Sequence, residues 1–257
     1  MSRRIAVVTI LAVLTTLFLV SAQVKFDPNS IDVHWYGLPL PPCFVDAKAC
    51  EGHVLGTDDI GRDVLARLVY GGQVSLGLSL IAVAMELALG IVFGMLARYG
   101  GAVLKFVIMR SGDAISCFPA WPFLVVMVFV GTPPSRASLP GFVLVAITGI
   151  LFSPQIARLI ATVGDVRTFV PAASNLAARD LTRIIVLLAT VDFFGLGIQP
   201  PTASWGNMLT NAQENITIAW WVGVFPAICI FGAVLAIEIV RRRFLASDVK
   251  SHEPTLT

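Results

Sequence analysis

Six apolar runs, most of them long enough to cross a lipid bilayer, leave this chain few ways to fold. They cover residues 5–22, 75–97, 107–130, 139–161, 184–198 and 219–240. A hydrocarbon core about 30 Å thick takes about 20 apolar residues in a helix. Within it every backbone N–H and C=O needs an internal partner, which a helix supplies. The rest of the chain agrees. It is 56% hydrophobic and only 13% charged, with a mean hydropathy of +0.84, whereas soluble domains carry about 25% charge. The expected fold class is an all-α polytopic membrane protein with about six transmembrane helices. A net charge of +2 is too small to point to a nucleic-acid partner.

Two of the runs are irregular. The third is interrupted by Arg110, Asp113 and Pro119, and prolines at 119 and 122 predict a kink. The fifth would span only about 22 Å as a helix at 1.5 Å per residue, and Asp192 lies inside it. A broken helix buried against a partner, a locally thinned bilayer or a crippling deletion would each account for it. The first run follows Arg3 and Arg4 and ends in Val-Ser-Ala, which also suits a cleaved signal peptide. It exceeds the usual apolar core of about 7–15 residues in such a peptide, so a retained anchor is expected.

Lys and Arg bias sets orientation. With the N-terminus inside, the inner segments hold Arg3, Arg4, Arg98, Lys105, Arg110, Arg158, Arg167, Arg179, Arg183, Arg241, Arg242, Arg243 and Lys250. The outer ones hold Lys25, Lys48, Arg62, Arg67 and Arg136. Both termini are therefore expected in the cytoplasm. The expected organisation is an anchor at 1–22, an extracytoplasmic segment at 23–74, a membrane domain at 75–241 and a cytoplasmic tail at 242–257. Cys43 and Cys50 fall outside, where an oxidising compartment would let them pair. Cys117 and Cys229, in apolar runs, read as small buried hydrophobes. No cysteine or histidine spacing suggests a metal site.

The polar stretch GTDDIGRDVLARLVYG at 56–71 stands out before the second run. Asp58 or Asp59 would cap a first helical turn. Ile60, Val64, Leu65, Leu68 and Val69 would share one helical face, and Asp63 and Arg67 would pair across one turn. The prediction is a short amphipathic helix at the outer interface, turned into the membrane at Gly71 and Gly72. Inside the second run, Glu86 is costly in lipid. It either lines a path or touches a partner subunit, or is hydrogen-bonded to neighbouring helices. Arg110 and Asp113 can neutralise each other. Trp205, Trp220 and Trp221 suit an aromatic belt at the outer interface. No nucleophile–base pair and no GxxxxGK[ST] phosphate loop is present, so the chain itself has no expected catalytic residue and no bound cofactor.

Several segments, taken in order, resemble one family. LGTDDIGRDVLARLVYG at 55–71, MRSGDAISCFPAWPFLVVMV at 109–128, FFGLGIQPPTASWGNML at 193–209 and AWWVGVFPAICIF at 219–231 are similar to the C-type permease subunits of dipeptide, oligopeptide and nickel ABC importers, a binding-protein-dependent inner-membrane component family. The family motif residues here are Gly56, Thr57, Asp58, Asp59, Gly61, Arg62, Asp63, Arg110, Asp113, Pro119, Gly195, Gly197, Pro200, Pro201, Trp205 and Gly206. The resemblance implies the type I importer fold in a bacterial inner membrane and a homologous permease partner. It also implies two ATPase subunits carrying ATP and Mg, and an extracytoplasmic substrate-binding protein.

Family members dock a cytoplasmic coupling helix on the ATPase, usually reading Glu-Tyr-Val-x-Ala-Ala-x-x-x-Gly. Here the matching stretch lies near 164–183. Phe169, Val170, Ala172 and Ala173 follow the pattern, Thr168 stands at the Glu position and Ala177 at the Gly position. Pro171 fits a helix only in a first turn. A block of about 20 residues that follows in the family, with its His-x-Leu-Pro-Asn segment, is missing after Arg183. The resemblance therefore leaves room for an exporter-type relative for cationic peptides or polyamines, and for a non-transporting or decayed permease copy.

Overall fold

A computed structural model describes residues 27–45, 52–117, 141–163 and 165–251. The first apolar run, Cys50, Pro119, Pro122 and the later part of the third run lie outside the described residues. Within them the chain is helical: α1 (Val64–Tyr99), α2 (Gly101–Cys117), α3 (Gly141–Thr162), α4 (Val166–Phe193), α5 (Trp205–Asn215) and α6 (Trp221–Ser251). Three stretches are long and apolar enough to cross a membrane: α1, α3 and Trp221–Arg243 of α6.

The second apolar run is the core of a longer helix. Asp63 caps α1, its carboxylate accepting from the Ala66 N–H, so the predicted cap at Asp58 or Asp59 is corrected. The described residues 52–63 form no helix of their own before α1, and the chain does not turn at Gly71 and Gly72. Both glycines lie inside α1 because another segment presses there. A Cβ on Gly72 would sit 2.7 Å from the Trp205 ring, and one on Gly71 would sit 3.2 Å from the Ser204 carbonyl carbon.

α1 and α3 form the closest helix pair. Gly90 and Gly94 admit Ile156 and Ile160, and Gly149 admits Met85; an added Cβ at these glycines would approach the neighbour to 2.5, 2.6 and 2.9 Å respectively. Small residues at such crossings let apolar helices gain packing that lipid alone does not supply. The core joins Leu76 and Val83 of α1, Leu144 and Phe152 of α3, Ile184, Leu188 and Val191 of α4, and Trp205. Pro154 lies within α3. It cannot donate to the carbonyl of Ile150, and the Ser153 hydroxyl takes that carbonyl at 3.0 Å.

The largest departure from expectation is α4. The predicted coupling loop and short fifth span are one helix of 28 residues, about 42 Å long. The reason is local. No glycine occurs from 165 to 194, and Ala177, the best helix former, stands where the family pattern has Gly. Pro171 is in the second turn, not the first, because α4 starts five residues before it. α4 is not among the helices apolar enough to span a membrane.

Candidate functional site

The loop at 52–63 is a packed polar plug. Thr57 pairs with Leu40 twice: its N–H donates to the Leu40 carbonyl at 3.0 Å, and its Oγ1 accepts from the Leu40 N–H at 2.8 Å. Asp58 folds the loop on itself, accepting from the Arg62 N–H at 2.8 Å and from Arg62 Nε at 2.7 Å. Gly56 and Gly61 both have φ of +80°, and an added Cβ would run into the backbone carbonyls of Leu40 and Asp32 respectively. A side chain is excluded twice there, by conformation and by space.

The expected Asp63–Arg67 pair does not form. As the cap, Asp63 points back at the chain before it and lies 2.7 Å from Nδ1 of buried His53. A carboxylate only accepts, so that nitrogen carries a proton. The other ring nitrogen faces Asp32 at 3.7 Å. Arg67 is buried and reaches the Pro28 carbonyl at 3.3 Å and Asp58 at 3.9 Å. Burial, with Asp58 beside it, pushes the Asp59 carboxyl above the usual carboxylate range. Nothing in the sequence announced His53 or Asp32, because the loop alone brings them to Asp63.

A second polar joint closes the far end of α4. Asp192 accepts from the Ile198 N–H at 2.8 Å and from the Ser204 hydroxyl at 2.7 Å. This folds the loop bearing Gly195, Gly197, Pro200 and Pro201 back onto α4, with a cis bond between the two prolines. Ser204 and Asn207 then form a capping box on α5. Gly206 lies against α4, where a Cβ would meet the Ala189 carbonyl at 2.5 Å. Asp192 is thus a loop anchor rather than a charge stranded in a span. The tryptophans of the expected aromatic belt divide between buried and exposed positions. Trp205 and Trp221 are buried, their indole N–H groups donating to the carbonyls of Leu68 and Thr57, while Trp220 is part-exposed.

The coupling candidates share α4 but not one face. Val170 is exposed, whereas Ala173 is buried and Ala177 packs against the core. Phe169 and Ala172 are half-buried. Polar contacts tie this helix to its neighbours. Arg179 bonds Gln155 of α3, and Asn175 accepts from Arg241 of α6 at 3.0 Å while Arg241 also holds Glu238. At the α2–α3 contact, Asp113 binds Arg158 and lies 3.8 Å from Arg110, so the expected pair is a triad. Arg98 closes the end of α3 by donating to the Val163 carbonyl at 2.7 Å. Cys117 is exposed rather than buried, and Cys43 is in a disulfide.

Glu86 is fully buried on α1 against Asp180 of α4, and no donor among the described residues reaches either of its oxygens. The alternative of hydrogen bonds to neighbouring helices finds no donor here, since the group beside Glu86 is the Asp180 carboxyl. Between α3, α4 and α6 lies a cavity of about 610 Å³, lined by Phe152, Thr182, Arg183, Val186, Thr190 and Val234 among others.

Comparison with known proteins bears on this arrangement. No family model matches the chain. It is 31% identical over 220 residues to the di/tripeptide transport system permease protein DppC of Pseudomonas aeruginosa, covering 78% of this chain and 72% of that one. It is 28% identical to the dipeptide transport system permease protein DppC of Haemophilus influenzae, over 92% of this chain and 86% of that protein. It is 33% identical to the glutathione transport system permease protein GsiD of Escherichia coli, over 73% and 69%.

Proposed function

The chain belongs to the C-type permease family of peptide transport systems, and on that premise we propose that it is the membrane subunit of an ATP-driven dipeptide or oligopeptide importer. Its relatives are transport permeases rather than enzymes, and its apolar helices are those of a membrane protein. In the proposed complex it lines the path with a homologous permease, receives substrate from an extracytoplasmic binding protein and is driven by two ATPase subunits that carry ATP and Mg. The complex sits in a bacterial inner membrane with both termini of this chain in the cytoplasm. Nickel is the other cargo the family resemblance admits.

The observation that carries the reading is the match over most of the chain to permeases named for di/tripeptides, dipeptides and glutathione. The geometry suits it. Phe169 and Val170 stand in the first turns of α4, available to an ATPase groove. The contacts of α4 with Gln155 and Arg241 give movement of that end a route into α3 and α6. A carrier of this kind needs two arrangements of its bundle with different affinities for substrate and nucleotide.

The test is uptake of a labelled dipeptide into proteoliposomes holding this subunit, its genomic-neighbour permease and ATPases, with the binding protein outside. ATP-dependent accumulation supports the reading. A second reading, a non-transporting copy, is favoured by one observation: α4 merges the coupling segment with a fifth run that is not apolar or long enough to span. Assembly without uptake or ATP turnover would select it.

A further inference from the structure

We propose that Glu86 and Asp180 together bind one proton, and that this proton fastens α4 to α1. Both side chains are fully buried, Glu86 on a membrane-spanning helix and Asp180 on the helix packed against it. Three of their four carboxyl oxygens, both of Glu86 and Oδ2 of Asp180, have no hydrogen-bond donor among the described residues. The fourth, Oδ1 of Asp180, is held by Arg179 Nε at 3.3 Å and Arg183 Nη1 at 3.2 Å. The charge of Asp180 is therefore compensated at Oδ1 alone, and Glu86, the carboxyl it interacts with, has no ion-pair partner among the described residues.

Two ionised carboxylates in contact, away from water, repel each other and lack every donor they had in solution. One proton removes both defects. Carried on Glu86, it makes that carboxyl a donor to Asp180 Oδ2 and lowers the charge of the pair by one. The two groups then titrate as a unit rather than separately.

The remaining polar groups do not substitute for the proton. Arg179 is already engaged by Gln155 of α3 and by Asp180. Thr148 and Ser153 of α3 spend their hydroxyls on carbonyls of their own helix. Arg158 of α3 is turned to Asp113 of α2. Glu238 and Arg241 of α6 hold each other, with Arg241 also on Asn175. Arg98 of α1 is bound to the end of α3.

Since α4 also carries the coupling candidates at 169–177, loss of the proton would loosen that end from α1. The site rests on burial and unpartnered oxygens, not on the transport reading, and neither readout below involves transport or an ATPase.

The experiment is an infrared pH titration of the full chain in lipid nanodiscs, with thermal unfolding followed in parallel. At neutral pH the wild type is expected to show the C=O stretch of a protonated, water-shielded carboxylic acid that Glu86→Gln removes. The band should vanish as pH rises, and the unfolding midpoint should fall over the same range. Glu86→Gln presents an amide N–H to Asp180 at every pH, so its midpoint should be flatter with pH. If that variant fails to fold, ¹³C labelling of glutamate carboxyls in the wild type makes the assignment. Glu86 is the one buried glutamate among the described residues, so its band must shift. Absence of such a band, a band unmoved by the label, or an equal pH dependence in Glu86→Gln overturns the proposal.

Discussion

The indole N–H of Trp221 donates to the backbone carbonyl of Thr57 across 3.1 Å, although 164 residues separate them. It joins the start of α6 to the loop that launches α1. Both partners are buried, so the carbonyl has no water to turn to. Trp221→Phe keeps an aromatic ring but drops the donor and part of the indole's volume. The expected loss is about 1–3 kcal/mol, whereas Trp221→Ala should cost about 3–5 kcal/mol through the cavity it leaves. Thermal unfolding in mild detergent checks both, and a Trp221→Phe variant as stable as wild type would deny the hydrogen bond any part.

Gly61 and Gly37 offer a paired test of why the chain before α1 needs glycine. Their φ angles are close, +80° and +77°. A Cβ on Gly37 meets nothing within 4 Å, whereas one on Gly61 runs into the Asp32 carbonyl. Gly37→Ala should therefore cost only the left-handed strain of about 1–2 kcal/mol. Gly61→Ala should cost clearly more and should also weaken the His53–Asp32 contact. Unfolding midpoints of the two variants decide it, and the order Gly61→Ala above Gly37→Ala would be wrong on this account.

Asp192 supplies both acceptors that fold the 194–204 loop onto α4. Asp192→Ala strands the Ile198 N–H and frees the Ser204 hydroxyl from its second role. With unsatisfied buried groups at about 1–3 kcal/mol each, the variant should lose about 2–4 kcal/mol. It should also expose the loop to protease ahead of the helices. Limited proteolysis with mass mapping reads this; an unchanged cleavage pattern would contradict the anchor.

Asp59 gives a prediction with a sign. Burial and the neighbouring Asp58 raise its carboxyl above the ordinary value of 3.8, so the folded chain holds that proton more tightly than the unfolded one. This contribution to stability is present at acid pH and is lost as pH rises through the raised value. Asp59→Asn should remove that component of the slope and be at least as stable as wild type at neutral pH. Parallel unfolding curves for the two at all pH values would show that Asp59 is not held this way.

Helices α1, α3 and α6 were legible because an apolar run of bilayer length needs no partner to be recognised. The loop at 56–63 was legible as polar and structural, but its wiring was not. Asp58, Asp59 and Asp63 all suit a cap, and only the fold decides that Asp63 takes the role. Gly71 and Gly72 read as a turn because the residues that crowd them, Ser204 and Trp205, lie about 130 positions away in sequence, a distance the Trp205–Ser75 hydrogen bond bridges in the fold. The same distance problem hid Asp180, whose partner Glu86 is on another helix. The union of coupling segment and fifth run could have been anticipated from the glycine-free stretch at 165–194, had local helix propensity been weighed above the resemblance to a family with a separate coupling helix.

The proposed role depends above all on whether the merged helix α4 still engages an ATPase. The direct measurement is copurification in mild detergent of this subunit, coexpressed with its genomic-neighbour permease and ATPases, beside the variant Val170→Asp. Val170 is exposed and packs against no core, so the charge should leave the fold intact. The account predicts that the wild type carries both ATPases and ATP turnover through purification, and that Val170→Asp keeps the permease partner but loses the ATPases. Recovery of the permease partner without ATPases from the wild type would contradict it and leave a copy that assembles but is not driven.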